Sequence, residues 1–188
     1  MSKLRVISGT SKGRRLRSVP GNSTRPITDR VKTSLFDILG QDIVGSIMLD
    51  LFAGTGSVGI EALSRGANFV LFIDNNNKAI KTIKHNLEIT NLKKSAEVIK
   101  SDALAYINKA PTRKFDYIYI APPQYKGLWI KALMGIDSEY HWLSKDGWII
   151  VQIHPSEYQT INTVKVNEFE QRRYGSTLLV FYQTISLI

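Results

Sequence analysis

The chain of 188 residues contains no cysteine. That excludes disulfides, thiolate nucleophiles and cysteine metal sites, and it fits a reducing compartment. Long apolar runs are also missing. A stretch such as Trp148-Ile149-Ile150-Val151 is far short of the roughly 20 residues that a membrane-spanning helix needs. The N-terminus carries no apolar signal-peptide core, so a cytoplasmic protein without membrane contact is expected. Only three histidines occur, and no His/Asp/Glu spacing suggests a metal, so none is expected. His85 is expected at the surface and His141 in a packing segment. His154 follows a strand and is a candidate to line a pocket. Acidic side chains nearly vanish from the first 32 residues, which hold nine of the 25 basic residues and Asp29 as the one acid. The net charge of +9 therefore belongs almost wholly to this segment, since the rest of the chain is close to neutral. Segregated positive charge of this kind is the footprint of a polyanion binder. Lys12, Arg14, Arg15, Arg17, Arg25 and Arg30 are the candidate contacts.

Hydrophobic residues make up 43% of the chain, enough for one domain with a sizeable core. Residues 5–9 and 14–19 alternate around Ser11-Lys12-Gly13 and predict a small basic hairpin. Thr28 and Asp29 can cap a helix over 29–39. From residue 46 onward strands and helices alternate. Strands are predicted at about 46–50, 69–74, 96–99, 115–120 and 147–153. Helices are predicted over 60–65, 76–91 and 103–109, and within 127–143. The tail reads as an antiparallel hairpin, 164–173 and 177–183, turning at 174–176. This order implies an α/β fold: a mostly parallel sheet covered on both faces. Residues 1–40 are expected as a basic extension packed on a core of 41–188, together one structural domain and a monomer.

The chemistry is expected beyond the carboxyl ends of the strands. An apolar strand runs into Asp50, then into Gly54, Gly56 and Gly59, then into a helix. Glycines let the backbone turn tightly and approach a ligand closely. Their spacing also spells a dinucleotide fingerprint, which alone is weak. Asp50 discriminates, because an acid there repels a pyrophosphate and suits a cationic or hydroxyl-bearing ligand. Asp74 lies 18 residues after Gly56, about where an acid reaches ribose hydroxyls. Asp102 can accept from an adenine amino group. Each aspartate alone could equally be a helix cap or turn former. Three of them in register with a glycine loop point to a bound adenosyl group. Phe52, Asn75 and Ala103, beside these positions, and Thr28 complete the expected cofactor set. Pro122-Pro123 stiffens the turn after the fourth strand and holds Gln124 and Tyr125 at the site mouth.

The motif of Asp50, Phe52, Gly54 and Gly56 resembles the first motif of S-adenosylmethionine (SAM) methyltransferases. Nearly the whole chain resembles the bacterial small-subunit (16S) rRNA guanine-N2 methyltransferases of the RsmD type. The resemblance rests on Arg5-Val6-Ile7-Ser8-Gly9-Thr10-Ser11-Lys12-Gly13-Arg14, on the glycine loop with residues 60–67, and on the Pro-Pro turn. Its most specific part is Arg25-Pro26-Ile27-Thr28-Asp29-Arg30-Val31. The resemblance implies a Rossmann-like seven-stranded methyltransferase fold, SAM as cofactor, and N2 of a guanine in rRNA, free or in a partly assembled small subunit, as acceptor. It also implies a carboxylate or amide at position 121 and an aromatic at position 124. This chain has Ala121 and Gln124, with Tyr125 one place further on. An exocyclic amine needs an acceptor to orient its lone pair. The carbonyls of Ala121 and Pro122 remain, Gln124 is the candidate replacement, and Tyr125 can stack on a flipped base. Ala121, Pro122, Pro123, Gln124 and Tyr125 therefore form the expected acceptor site. Three alternatives stay open at this point: a nicotinamide-dependent dehydrogenase, a catalytically impaired RNA-binding relative, and a methyltransferase of DNA or protein amino groups.

Overall fold

The computed structural model describes residues 4–21, 27–138 and 141–185. Five parallel strands come first: β1 Ile47–Asp50, β2 Phe69–Asp74, β3 Ala96–Lys100, β4 Phe115–Ile120 and β5 Leu143–Ile153. β6 Val166–Tyr174 and β7 Thr177–Thr184 then return as an antiparallel hairpin. The strands form one seven-stranded sheet in the order β3-β2-β1-β4-β5-β7-β6. β1 lies between β2 and β4, and successive connections run outward on either side of it. The order reverses between β1 and β4, and a crevice opens at the carboxyl ends of strands flanking such a reversal. The architecture is the Rossmann-like seven-stranded fold that the sequence implies.

The central strands are apolar on both faces because helices cover both. One core joins Met48, Val70 and Phe72 to Leu35, Phe36, Leu39, Ile60 and Ile83. The other joins Leu49, Leu71, Ile118 and Ile120 to Trp129, Leu133 and Trp142. The first contains α1 Asp29–Leu39, α2 Ser57–Ser64 and α3 Asn77–Ile89; the second contains α4 Ala103–Ile107 and α5 Leu128–Ser138. Thr28 caps α1, its hydroxyl accepting from the Val31 amide at 3.3 Å. Asn76 caps α3 in the same manner. Among the described residues no helix is long and apolar enough to cross a membrane.

Two boundaries differ from expectation. β5 starts at Leu143 rather than 147, and α5 stops at Ser138. Phe115 pairs with Leu143, its amide donates to the Trp142 carbonyl, and the register shifts before Tyr117. The buried Trp142 indole donates to the Ile107 carbonyl and so joins the chain to α4 instead of extending a helix.

The basic N-terminal segment folds back on itself through one antiparallel bridge, Arg5 to Arg15. Hydrogen bonds from Val6 to Arg14, from Gly13 to Val6 and from Leu16 to Leu4 extend it. Leu4, Val6 and Leu16 insert into the first core. Gly9 adopts φ +80°, and a Cβ there would stand 1.7 Å from the Ser64 carbonyl oxygen, so the arm lies directly on the end of α2.

Candidate functional site

The loop between β1 and α2 is shaped by its glycines and by one carboxylate. Gly54 and Gly56 both have positive φ, 54° and 74°, which glycine adopts without a Cβ clash. The Ala53 amide donates to the Ile73 carbonyl and the Gly54 amide to Asp74 Oδ2 at 2.8 Å, which ties the loop to the end of β2. Asp74 Oδ1 accepts from the Asn76 amide, also at 2.8 Å. Asp74 is thus half-exposed but fixed by two backbone donors. A Cβ on Gly59 would lie 2.3 Å from the Phe72 ring, so that glycine sets the approach of α2 to β2.

Asp50 ends β1 and is only 2% exposed. It accepts from the Gly59 amide at 3.3 Å. Burial pushes its carboxyl up to about 7, and the nearby negative charge of Asp74 adds to the shift. A buried acid close to neutrality is poised to ionise when a cation arrives. Asp102 caps α4, accepting from the Ala105 amide at 2.9 Å. It is exposed, and capping leaves its other oxygen available.

These groups open onto one cavity of about 580 Å³. The expected cofactor residues Thr28, Asp50, Phe52, Gly54, Asp74, Asn75, Asp102 and Ala103 all line it. Ala121, Pro122, Pro123 and Gln124 line it too, so the two halves of the expected site share a single space. The volume falls in the range of about 300–1,000 Å³ usual for small-molecule sites. Three carboxylates, a glycine floor and apolar walls from Phe52, Ala103 and Leu104 suit a ligand with a cation, hydroxyls and a flat base.

Two expected residues take other places. Gly56 opens α2 in the left-handed conformation and shapes the turn from beneath, with Ile83 against it, rather than forming cavity wall. Tyr125 is 67% exposed, has φ 61° and is not among the cavity-lining residues. Its amide donates to Glu157 at 2.7 Å, and its ring lies 5.8 Å from that of His154. The histidine caps a short 3₁₀ turn and, like Tyr125, stands outside the cavity lining.

Several lining residues were missed. Tyr119 is buried, and its hydroxyl donates to Gln152 Oε1 at 2.6 Å. Burial and the charge of Asp50 raise the phenol well above its ordinary value, so it stays protonated. Lys126, Tyr174, Ser176 and Thr177 complete the mouth. Tyr119 stands two residues before Ala121, and that position was the available signal for it; Gln152 offered none, because its place depends on the neighbouring strand.

Lys12, Arg14, Arg15, Arg17 and Arg30 are exposed. Arg25 lies outside the described residues. Lys32, one of the nine basic residues in the first 32, is buried. Its ammonium donates to the Arg5 carbonyl at 2.6 Å and to Ser57 at 3.0 Å, and pairs with Glu61 at 3.3 Å. Burial lowers its pKa, with Glu61 opposing. Glu61 also accepts from the Ile7 and Ser8 amides and from Arg65. Arg5 pairs with Asp29 at 3.0 Å. No metal-binding group of three or more acids or histidines occurs among the described residues.

A family model described as Conserved hypothetical protein 95 matches residues 4–183. YlbH of Bacillus subtilis (strain 168) is 43% identical over 183 residues, covering 96% of this chain and 98% of YlbH. Ribosomal RNA small subunit methyltransferase D of Buchnera aphidicola subsp. Acyrthosiphon pisum is 33% identical over 153 residues, covering 80% of this chain and 78% of that protein. The solved structure of yhhF from Escherichia coli matches with a TM-score of 0.85 at 28% identity, covering 97% of this chain and 98% of that one.

Proposed function

The chain belongs to the Conserved hypothetical protein 95 family, beside the bacterial small-subunit rRNA methyltransferases, and from this we propose that it methylates the N2 amine of a guanine in small-subunit rRNA. At the coarser level it is a SAM-dependent methyltransferase related to the bacterial RsmD-type rRNA methylases. The observation that supports the finer reading is that one cavity is lined both by Asp74 and Asp102 and by the Pro122-Pro123 turn.

SAM, when bound, supplies a methyl group already activated by a sulfonium charge. Asp74 would accept from ribose hydroxyls with lone pairs left over from its two backbone donors. Asp102 would accept from the adenine amine, and Phe52, Ala103 and Leu104 would pack on the flat ring. Asp50 would face the cationic end. Thr28 and Asn75 close the wall. The Pro122-Pro123 turn would hold the acceptor base, with the Pro122 carbonyl and Gln124 at its edge. A guanine amine is a poor nucleophile, because its lone pair is delocalised into the ring. Hydrogen bonds to its protons turn that lone pair toward the methyl group and offset developing positive charge. No acid or base residue is required, since the proton can leave to water after transfer. The exposed basic arm would grip phosphates, in free rRNA or in a partly assembled subunit, within the cytoplasm.

The test is transfer from labelled SAM to small-subunit rRNA and to partly assembled subunits, followed by nucleoside analysis. N2-methylguanosine is expected. A label on another atom, or on DNA or protein alone, would reject this substrate assignment.

A further inference from the structure

We infer that Gln152 supplies the hydrogen-bond acceptor for the reacting amine that Ala121 lacks, and that the Tyr119 hydroxyl holds it in place. The inference rests on the reading above that the acceptor is an exocyclic amine. β4 and β5 run parallel, and Ile120 pairs with Val151 as the last pair in register. One residue further on stand Ala121, just past the end of β4, and Gln152 of β5; neighbouring strands lie about 4.8 Å apart. Side chains alternate along a strand, so Tyr119 and Ala121 share a face. Ala121, Tyr119 and Gln152 all line the cavity. Ala121 offers only a methyl group to that cavity, and the longer Gln152 side chain lines it from the next strand.

The amide is preorganised. Tyr119 is buried and donates to Gln152 Oε1 at 2.6 Å. An amide oxygen has two lone pairs, so one remains for an amine N–H. The Nε2 group keeps its donors and can bond an adjacent ring nitrogen, so the pair matches a guanine edge that offers an amine beside an acceptor. Gln124 is the rival for this task. It lines the same cavity but is exposed, and no hydrogen bond fixes its side chain in the described structure. A solvated amide must be ordered as the reaction proceeds, whereas a bonded one needs no reorganisation.

The experiment compares wild type with Gln152→Leu, Gln152→Glu, Tyr119→Phe, Gln124→Ala and Gln152→Leu/Ala121→Asp. Each protein is assayed with labelled SAM on partly assembled subunits, rRNA, DNA and protein acceptors. SAM Kd is measured by calorimetry and folding by thermal melting. Gln152→Leu is expected to lower kcat by about 10²–10³ without changing SAM Kd, the usual effect of losing one preorganised bond to the reacting group. Gln152→Glu keeps an acceptor and should retain far more activity. Tyr119→Phe should lower kcat by roughly tenfold with KM little changed, since it removes one bond that positions Gln152. Gln124→Ala should act mainly on KM. Ala121→Asp should restore much of the rate in the Gln152→Leu background. A folded Gln152→Leu protein at full rate overturns the inference, as does the full loss appearing in Gln124→Ala instead. A wild type inactive on every acceptor also overturns it. A methyl group found on another amine rejects the guanine-N2 reading alone, because the ratio of wild type to Gln152→Leu on that product still decides Gln152.

Discussion

Asp50 carries the clearest pH signature in the molecule. Its carboxyl sits at about 7 in the folded chain against an ordinary value of 3.8, with burial as the main cause. Between those values the folded state holds a proton that the unfolded chain has lost. Stability should therefore fall as pH rises from about 4 to about 7, then level off. Asp50→Asn should flatten that slope, because it keeps an acceptor for the Gly59 amide without a charge to bury; melting temperatures across pH 4–8 would check this. The same residue links ligand binding to protons. A cation opposite Asp50 favours its ionised form, so SAM binding at pH 6 should release a proton from wild type and none from Asp50→Asn. Calorimetry in buffers of different ionisation heat reads this directly. Asp74 acts differently, since both of its oxygens already accept backbone amides. Asp74→Ala should weaken SAM by about 1–3 kcal/mol and also lower stability, whereas Asp74→Asn should spare part of each. Unchanged calorimetry in Asp74→Ala would remove Asp74 from the site.

The N-terminal arm is held on the domain by a buried ion pair rather than by a long strand ladder. Lys32 on α1 and Glu61 on α2 have fully buried side chains, and Glu61 also holds the backbone of Ile7 and Ser8. Removing one member of such a pair leaves an uncompensated charge, at a cost of about 3–5 kcal/mol. Glu61→Ala should lower the melting temperature and expose residues 4–17 to proteolysis while the SAM cavity persists; a protease-resistant arm in that variant would show that its apolar contacts suffice. None of this was legible in the sequence. Lys32 stands among arginines and reads as surface charge, because a buried pair from two distant helices has no local pattern. The sheet was legible almost throughout, because fully buried parallel strands such as Phe69–Asp74 and Phe115–Ile120 are nearly continuous apolar runs. The start of β5 was not, since Leu143 and Trp142 owe their places to Phe115 and Ile107, residues far away in the chain. In the site, aspartates at strand ends were readable and Gln152 was not. Its meaning comes from the strand beside it.

The whole surface is electrostatically lopsided, and the structure sharpens which charges count. Of the basic residues before position 33, Lys32 is internal and Arg5 is paired with Asp29. Lys12, Arg14, Arg15, Arg17 and Arg30 remain as exposed cations on the described arm and α1. Thr28 of the cavity wall adjoins this segment, so the arm and the cavity are built as neighbours. Each phosphate contact releases counterions, which lowers log affinity by roughly 0.7–0.9 per unit of log salt. Neutralising Arg14, Arg15 and Arg17 together should therefore reduce the salt slope of RNA binding by about two to three units. The loss should be similar for any RNA sequence, because phosphate contacts position the protein and carry no base information. SAM affinity should stay as in wild type, since none of the three lines the cavity. Filter binding across a salt series, with calorimetry of SAM alongside, separates the outcomes. If the slope were unchanged and SAM affinity collapsed, these arginines would belong to the cofactor site or the fold, and RNA would have to be gripped elsewhere.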